Sequence, residues 1–182
     1  MFLLLYHEFS MKVLYLLRHA KSSWADGGRA DVDRPLNERG REAVRRLARH
    51  LDALEVRPTI VLCSTARRTR ETLVGIQDAL QPGVIVRMRE DLYLASEAKI
   101  LSLVRGLDDA AERAMIIGHN PGIEGVARAL AGDGEAKAWR RLFAKFPTGA
   151  LAVVTSPVGR WRDFGPGSTR LDAFFRPKDL DE

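Results

Sequence analysis

The chain has 182 residues, of which 46% are hydrophobic and 29% are charged. This composition is that of an ordinary globular domain, and the length allows one sizeable hydrophobic core. The net charge of +5 fits an anionic partner, but acidic residues are almost as numerous as basic ones and no block of like charges resembles a nucleic-acid-binding tail. We therefore expect no nucleic-acid partner.

The first ten residues, "MFLLLYHEFS", do not form a secretory signal, because no basic region precedes the apolar run and no small-residue cleavage site follows it. Met11 offers an alternative start, so we expect residues 1–10 to be either a disordered N-terminal extension or the product of an upstream start site. Residues 11–182 then form a single domain. No stretch approaches the roughly 20 apolar residues of a membrane-spanning helix. We expect a cytoplasmic protein without a membrane partner.

Apolar runs typical of strands alternate along the chain with amphipathic stretches typical of helices. The strand-like runs are "KVLYLL", "TIVLCS", "VIVRM" and "AMIIGH". This alternation is characteristic of an α/β fold, and near-continuous apolar strands indicate burial on both faces of a mainly parallel sheet. Since crossover connections are right-handed, we predict a three-layer α/β/α sandwich.

The helix boundaries follow from capping residues. Asn37, after Pro35, is the predicted N-cap of the first helix, and the second helix covers about residues 69–80. Ser96 is the candidate cap of a third helix over about residues 97–107. Near the C-terminus, two strand-like runs around a turn at residues 156–159 predict a hairpin or an edge addition to the sheet.

The chain has a single cysteine, Cys63, which excludes an internal disulfide framework. Its position within the apolar run "TIVLCS" predicts a buried structural thiol. We expect the protein to occupy a reducing compartment.

Polar side chains follow three of the predicted strands at the point where each strand ends. Arg18 and His19 follow the first strand, Ser64 and Arg68 follow the second, and His119 follows the fourth. Because the carboxyl ends of parallel strands gather along one edge of a sheet, residues a hundred positions apart can meet there. We expect the two histidines and the two arginines to share one cavity.

Two guanidinium groups and two imidazoles without a carboxylate cluster suit a phosphoryl group better than a metal ion. A neutral imidazole can attack phosphorus with one nitrogen while a hydrogen bond to the other nitrogen fixes its tautomer. The arginines offset the charge that grows on the phosphoryl oxygens, and water then releases phosphate. We expect neither a metal nor a cofactor.

Five segments resemble one known family, the phosphoglycerate-mutase-like branch of the histidine phosphatase superfamily, and within it the SixA-like phosphohistidine phosphatases. "LLRHAKSSW" resembles the Arg-His-Gly signature, "STARRTRETL" and "IIGHNPGIEGVA" are similar to two further motifs, and "DRPLNERGREA" and "FPTGALAVV" extend the match. The resemblance implies a phosphoglycerate-mutase-like fold and assigns the phospho-acceptor role to His19. It also implies phosphate binding by Arg18, Arg68 and His119, with a further hydrogen bond from Ser22.

Two features depart from the family pattern. Ala20 stands where the wider superfamily has glycine, and "REDLYLAS" offers either Glu90 or Asp91 as a general acid without deciding between them. An alkoxide leaving group needs a proton, whereas the imidazole of phosphohistidine can leave neutral if its remote nitrogen is protonated. A weak or absent acid therefore favours phosphohistidine.

These features predict a metal-independent phosphatase that works through phospho-His19 and acts on phosphohistidine in proteins. Small phosphoesters are a second substrate class. The alternative from another class is a non-catalytic basic module that binds phosphorylated protein or nucleic acid. Among the three tryptophans, we expect only Trp24, next to the first motif, at the mouth of the cavity.

Overall fold

Six strands form one mixed sheet in the computed structural model, which describes residues 11–24, 28 and 30–180. The strands are β1 (Lys12–Arg18), β2 (Ile60–Ser64), β3 (Ile85–Arg89), β4 (Arg113–Gly118), β5 (Leu151–Ser156) and β6 (Arg170–Phe175). Their order is β3-β2-β4-β1-β5-β6. Strands β1 to β4 are parallel, and β5 is antiparallel to both of its neighbours. The predicted extension, residues 1–10, lies outside the described residues.

Five helices cover the two faces of the sheet. They are α1 (Glu38–His50), α2 (Arg67–Ile76), α3 (Glu97–Arg105), α4 (Gly122–Ala129) and α5 (Ala136–Ala144). Alternate residues of β1 point to opposite faces, so Leu16 packs in the core beneath α3, α4 and α5 while Leu17 packs in the core beneath α1 and α2. The predicted α/β/α sandwich is confirmed.

The predicted caps of α1 and α3 are present. The Asn37 side chain accepts a hydrogen bond from the Gly40 amide at 2.9 Å, and the Ser96 hydroxyl accepts one from the Lys99 amide at 3.2 Å. Helix α2 begins slightly earlier than predicted, at Arg67, and a 3-10 turn (Gln77–Ala79) follows it. The start at Arg67 places Arg68 in the first turn, next to the sheet edge.

The expectation that every predicted strand is buried on both faces is wrong for β3. Strand β3 lies at the edge of the sheet, and its Ile85, Val86 and Met88 are each more than two-fifths exposed. Strands β1, β2 and β4 lie inside the sheet and match the expectation. An apolar run alone does not distinguish an edge strand from a central one.

The C-terminal strands pair as an antiparallel addition to the sheet, but the turn at residues 156–159 does not close a tight hairpin. Residues 157–169 connect β5 to β6 and include a 3-10 turn, Trp161–Asp163. Trp161 is fully buried, and its backbone amide donates to the Asp109 carboxylate at 2.7 Å. This buried anchor holds the connection against the body of the domain, so β6 starts well after the turn.

Cys63 is fully buried, as predicted, and burial raises the pKa of its thiol to about 12. No helix among the described residues is long and apolar enough to span a membrane.

Candidate active site

The parallel pairing of β1 with β4 brings the two histidine motifs to the same edge of the sheet. Arg18 lies opposite Gly118 in the register, and the His19 amide donates to the Gly118 carbonyl at 3.1 Å. His19 and His119 are the next residues after this pair, and the centroids of their rings lie 5.1 Å apart. The structure thus places these two rings in one cavity, although a hundred positions separate them in sequence.

The His19 ring is held with one nitrogen bonded to the backbone and the other facing the cavity. Its Nδ1 lies 2.7 Å from the Ala20 carbonyl, which can only accept a hydrogen bond, so Nδ1 carries the proton. Nε2 keeps a lone pair and accepts from Nε of Arg68 at 3.3 Å. Burial, aided by the charge of Arg68, lowers the pKa of His19 to about 4 against the opposing effect of the Ala20 carbonyl. The ring is therefore neutral at neutral pH.

His119 is also buried and neutral. Its Nε2 lies 2.9 Å from the Ser64 hydroxyl, and its Nδ1 lies 3.3 Å from Nη2 of Arg68. Since the guanidinium can only donate, Nδ1 is the acceptor and Nε2 donates to Ser64. Burial, followed by the neighbouring His19 and Arg68, lowers the pKa of His119 to about 3.

Two neutral buried histidines predict that acid destabilises the fold well before the carboxylates are protonated. Their folded-state pKa values of about 4 and 3 lie below the usual value of 6.5, so the unfolded chain binds more protons as the pH falls below 6.5. At about pH 5 each histidine removes about 2 kcal/mol from the free energy of unfolding. Denaturant titrations at about pH 8 and pH 5 should show this loss, and His19→Asn should reduce it by up to about 2 kcal/mol. An equal loss in both proteins would contradict the assignment.

Arg68 contacts both histidines and is only 3% exposed. Its Nη1 donates to the Asp31 carbonyl at 2.6 Å and its Nη2 to the Asp31 carboxylate at 3.0 Å. Thr72, one helical turn further along α2, accepts from the Ala20 amide at 3.1 Å and donates to the Arg68 carbonyl at 2.7 Å. The start of α2 is thus tied directly to the loop that carries His19.

Arg18 also lines the cavity. Its Nη1 donates to the Phe146 carbonyl at 2.7 Å, and burial lowers the pKa of its guanidinium. Within the described part of the chain, the buried Nε of Arg18 and the buried Oδ1 of Asn120 have no hydrogen-bond partner. Both residues belong to the wall of this cavity.

The cavity has a volume of about 420 Å³. The residues that line it are Arg18, His19, Lys21, Ser22, Trp24, Asp31, Arg34, Arg68, Leu94, His119, Asn120 and Thr148. Trp24 is 80% exposed and lies in the lining, as predicted. Four cationic side chains against one carboxylate leave a net positive charge, which suits an anion.

Sequence reasoning missed Asp31 and Arg34. Arg34 donates to the Ser22 hydroxyl at 2.8 Å and to the Asp31 carboxylate at 2.7 Å, and its guanidinium lies 3.2 Å from the centroid of the Trp24 ring. The Tyr93 hydroxyl, followed by the two arginines, holds the pKa of Asp31 well below its usual range. The segment "DRPLNERGREA" contains Arg34, and the Asp-x-x-Arg spacing across the 3-10 turn Asp31–Asp33 was the available signal.

Neither candidate general acid lines the cavity. Glu90 is exposed on the 3-10 turn Glu90–Leu92, and Asp91 forms ion pairs with Arg89 at 2.7 Å and with Lys99 at 2.8 Å. The residues after this turn contribute instead, since Leu94 lines the cavity and Tyr93 donates to Asp31 at 2.6 Å. Among the described residues, Asp31 is the only carboxylate in the lining.

A larger cavity of about 650 Å³ lies between α1 and α2, away from both histidines. Its arginines are largely neutralised, because Arg41 and Arg45 pair with acidic residues of α1 and Arg67 pairs with Glu71 at 2.6 Å. Volume alone therefore does not identify the site. The smaller cavity holds the neutral histidines, the buried guanidiniums and the unused hydrogen-bonding atoms.

The fold and the cavity together define a three-layer α/β protein with a net cationic cavity at the carboxyl edge of its parallel strands. A sequence profile of the histidine phosphatase superfamily (branch 1) matches residues 14–93. An uncharacterised protein of Mycobacterium leprae is 38% identical over 172 residues, which cover 89% of this chain and all of the relative.

Two solved structures agree with this family. The putative phosphohistidine phosphatase SixA from Nakamurella multipartitia is 29% identical with a TM-score of 0.77, and the match covers 92% of this chain and 96% of that one. The putative phosphohistidine phosphatase SixA from Agrobacterium tumefaciens is 32% identical with a TM-score of 0.75, covering 91% and 98%. The phosphoglycerate-mutase-like fold is confirmed. The chain belongs to the histidine phosphatase superfamily and is SixA-like, and this membership supports phosphatase activity.

Proposed function

We propose that the chain is a metal-independent phosphatase that forms a phosphohistidine intermediate on His19 and removes phosphate from phosphohistidine in cytoplasmic proteins. The observation that carries this proposal is the His19 ring, which is buried and neutral and has Nδ1 bonded to a carbonyl and Nε2 beside Arg68. A neutral imidazole with a fixed tautomer is ready to act as a nucleophile without first losing a proton.

In the first step, Nε2 of His19 attacks phosphorus, a P–N bond to His19 forms, and the bond from phosphorus to the leaving group breaks. Negative charge on the phosphoryl oxygens is met by Arg18 and Arg68, whose guanidinium groups keep their charge and offer paired donors. The phosphate replaces part of the contact between Arg68 and Asp31. His119 keeps Nδ1 toward the cavity and can take up a proton as the incoming charge raises its pKa.

In the second step, water attacks the phosphorus of phospho-His19. The P–N bond breaks, the electron pair returns to Nε2, and phosphate leaves as H₂PO₄⁻, which carries both protons of the water. The same guanidinium donors meet the charge in this transition state, because the phosphoryl group keeps its position while the attacking group changes. The cycle uses only side chains of the cavity. The described residues contain no group of three or more histidine, cysteine, aspartate or glutamate side chains arranged to hold a metal ion.

The state of the cavity carboxylate supports phosphohistidine as the substrate. Asp31 stays ionised, because Tyr93 and two arginines hold its pKa well below the usual range, and it has no proton to give an alkoxide. The imidazole of a phosphohistidine substrate can instead leave as a neutral ring when its remote nitrogen carries a proton. The ionised Asp31 is therefore compatible with a leaving group that already carries its proton. It cannot supply the proton that the leaving group of an alcohol ester needs.

A substrate panel tests the proposal. Phosphohistidine peptides, phosphoramidate, phosphoserine peptides and an aryl phosphate are compared by their kcat/KM values on the same preparation. We expect kcat/KM for the P–N substrates to exceed kcat/KM for phosphoserine peptides by at least about 10²-fold. This factor is the lower end of the contribution of a general acid, which hydrolysis of a serine ester needs and this cavity lacks. The aryl phosphate should also react, because its leaving group needs no proton. Phosphoserine hydrolysis at the rate of phosphohistidine would contradict the proposed substrate.

Trapping of the intermediate separates an enzyme from a binding module. Quenching the reaction with labelled substrate should leave acid-labile, base-stable phosphate on His19. A non-catalytic module would show only salt-sensitive association.

A further inference from the structure

A second basic cavity adjoins the cavity of His19. Its volume is about 430 Å³, and its lining consists of Lys145, Pro147, Thr148, Arg176, Pro177 and Lys178. Thr148 lines both cavities, so the two cavities meet at this residue. We call this second cavity the basic shelf.

The loop of residues 146–149 fixes the position of the basic shelf relative to His19. The Gly149 amide donates to the carbonyls of Arg18 at 3.1 Å and His19 at 3.0 Å. On its other side, a Cβ atom added to Gly149 would lie 3.1 Å from Cγ of Pro177, and the φ of Gly149 is 76°. Close packing on both sides and a left-handed backbone leave this loop little freedom. A ligand that occupies both cavities therefore meets a preformed spacing.

The charges of the basic shelf are not balanced locally. Arg176 is neutralised by Asp179, with a contact of 2.7 Å, and Arg141 also reaches that carboxylate at 3.4 Å. Lys145 and Lys178 are exposed, and neither forms an ion pair with another residue in the part of the chain that the structure describes. Two ammonium groups thus remain available to an anionic ligand.

We propose that the basic shelf binds an acidic side chain of the same polypeptide that presents its phosphohistidine to His19. This inference rests on the proposed function and names the substrate sequence that the site prefers. The phosphoryl group binds beside His19 in the first cavity, so the anionic group that reaches the shelf across Thr148 is a second one, such as an aspartate or glutamate near the phosphohistidine in the polypeptide. Exposed ammonium groups can donate to a carboxylate without a fixed geometry, and their charge increases the rate of association with an acidic surface.

The test compares two phosphohistidine peptides that differ only in having glutamate or glutamine on both sides of the phosphohistidine. We expect the wild-type protein to hydrolyse the glutamate peptide with a roughly tenfold higher kcat/KM, the combined effect of two exposed ion pairs of intermediate strength. The difference should lie in KM and shrink at high salt. Lys145→Glu/Lys178→Glu should reverse the preference, with an effect on the glutamate peptide larger than on aryl phosphate in the same preparation.

A matched control carries the same change in net charge elsewhere. Arg87 lies on the edge strand β3 and Lys137 on α5, both exposed and neither lining a cavity with His19 or the shelf. Arg87→Glu/Lys137→Glu should keep the wild-type preference for the glutamate peptide. Equal kcat/KM for the two peptides, or the same loss in both double variants, overturns the inference while leaving the phosphatase assignment intact. Hydrolysis of aryl phosphate without any hydrolysis of phosphohistidine peptides overturns the proposed substrate and this inference together.

Discussion

His19→Ala should abolish turnover of every phosphorylated substrate, with a loss of at least about 10⁴-fold in kcat, the scale that follows removal of an enzyme nucleophile. The reason is that Nε2 of His19 is the atom that forms the covalent bond to phosphorus in the proposed cycle. Steady-state hydrolysis of aryl phosphate and trapping of labelled phosphate on the protein measure the loss.

The fold should survive this change, which separates a catalytic loss from an unfolding one. The His19 ring lies at the cavity surface and belongs to neither apolar core. The circular dichroism spectrum and the cooperative unfolding transition of His19→Ala should therefore stay native-like. His50→Ala is the matched control, since His50 lies on α1 outside the cavity. It should keep activity within about twofold, as for a substitution away from the site. Near-normal activity in His19→Ala, or trapped phosphate on another residue, would count against the mechanism.

The alternation of strands and helices was sufficient to predict the part of the site that the sheet builds. Arg18, His19 and His119 follow directly from strands whose parallel pairing is common to α/β folds, so their meeting point could be foreseen from sequence order. The same reasoning located Arg68 near the end of β2, although its side chain is positioned by α2. Strand ends are predictable because hydrogen-bonded register fixes them within a residue or two.

The residues that loops contribute could not be predicted in this way. Asp31 reaches Arg68 only because the 3-10 turn Asp31–Asp33 folds back over the cavity, and Arg34 is fixed by Ser22 and Trp24. No periodic pattern encodes such a path, since loop geometry depends on tertiary contacts. The same limit applies to the proposed acid. The segment that contains Glu90 does approach the site, but the chain direction there presents later residues to the cavity.

These loop contacts explain why the cavity can be strongly cationic and still be stable without phosphate. The ionised Asp31 takes up donors of both Arg68 and Arg34, and Tyr93 completes its hydrogen bonds. Burying a guanidinium without such a partner would be costly. In the proposed cycle the carboxylate holds Arg68 in position for phosphate, which then competes for the same donors. Asp31 is a positioning residue in this description.

Arg68→Lys should lower kcat/KM by about 10²- to 10³-fold, the range seen when one donor to a developing oxyanion is removed. Lysine keeps the positive charge but lacks the planar guanidinium group, and all three nitrogens of that group make contacts in Arg68. Nε faces His19 at 3.3 Å, Nη2 faces His119 at 3.3 Å, and Nη1 holds the Asp31 carbonyl at 2.6 Å. A single ammonium cannot make these three contacts at once. Kinetics with an aryl phosphate measure the loss, mainly in kcat, because the contacts strengthen as charge develops.

Arg67→Lys is the matched control, because it makes the same chemical change one position earlier in α2. Arg67 points away from the histidines and pairs with Glu71 at 2.6 Å, so its replacement should change kcat/KM by no more than about twofold.

A second variant, Arg68→Met, also removes the charge that helps to lower the pKa of His19. The acid limb of the pH profile of kcat/KM should therefore move upward in Arg68→Met and stay near the wild-type position in Arg68→Lys. The midpoint of this acid limb should move only part of the way toward pH 6.5, the usual pKa of histidine. Burial is the larger cause of the low pKa of His19, and it persists in both variants. Equal profiles in the two variants would show that the charge of Arg68 does not act on His19.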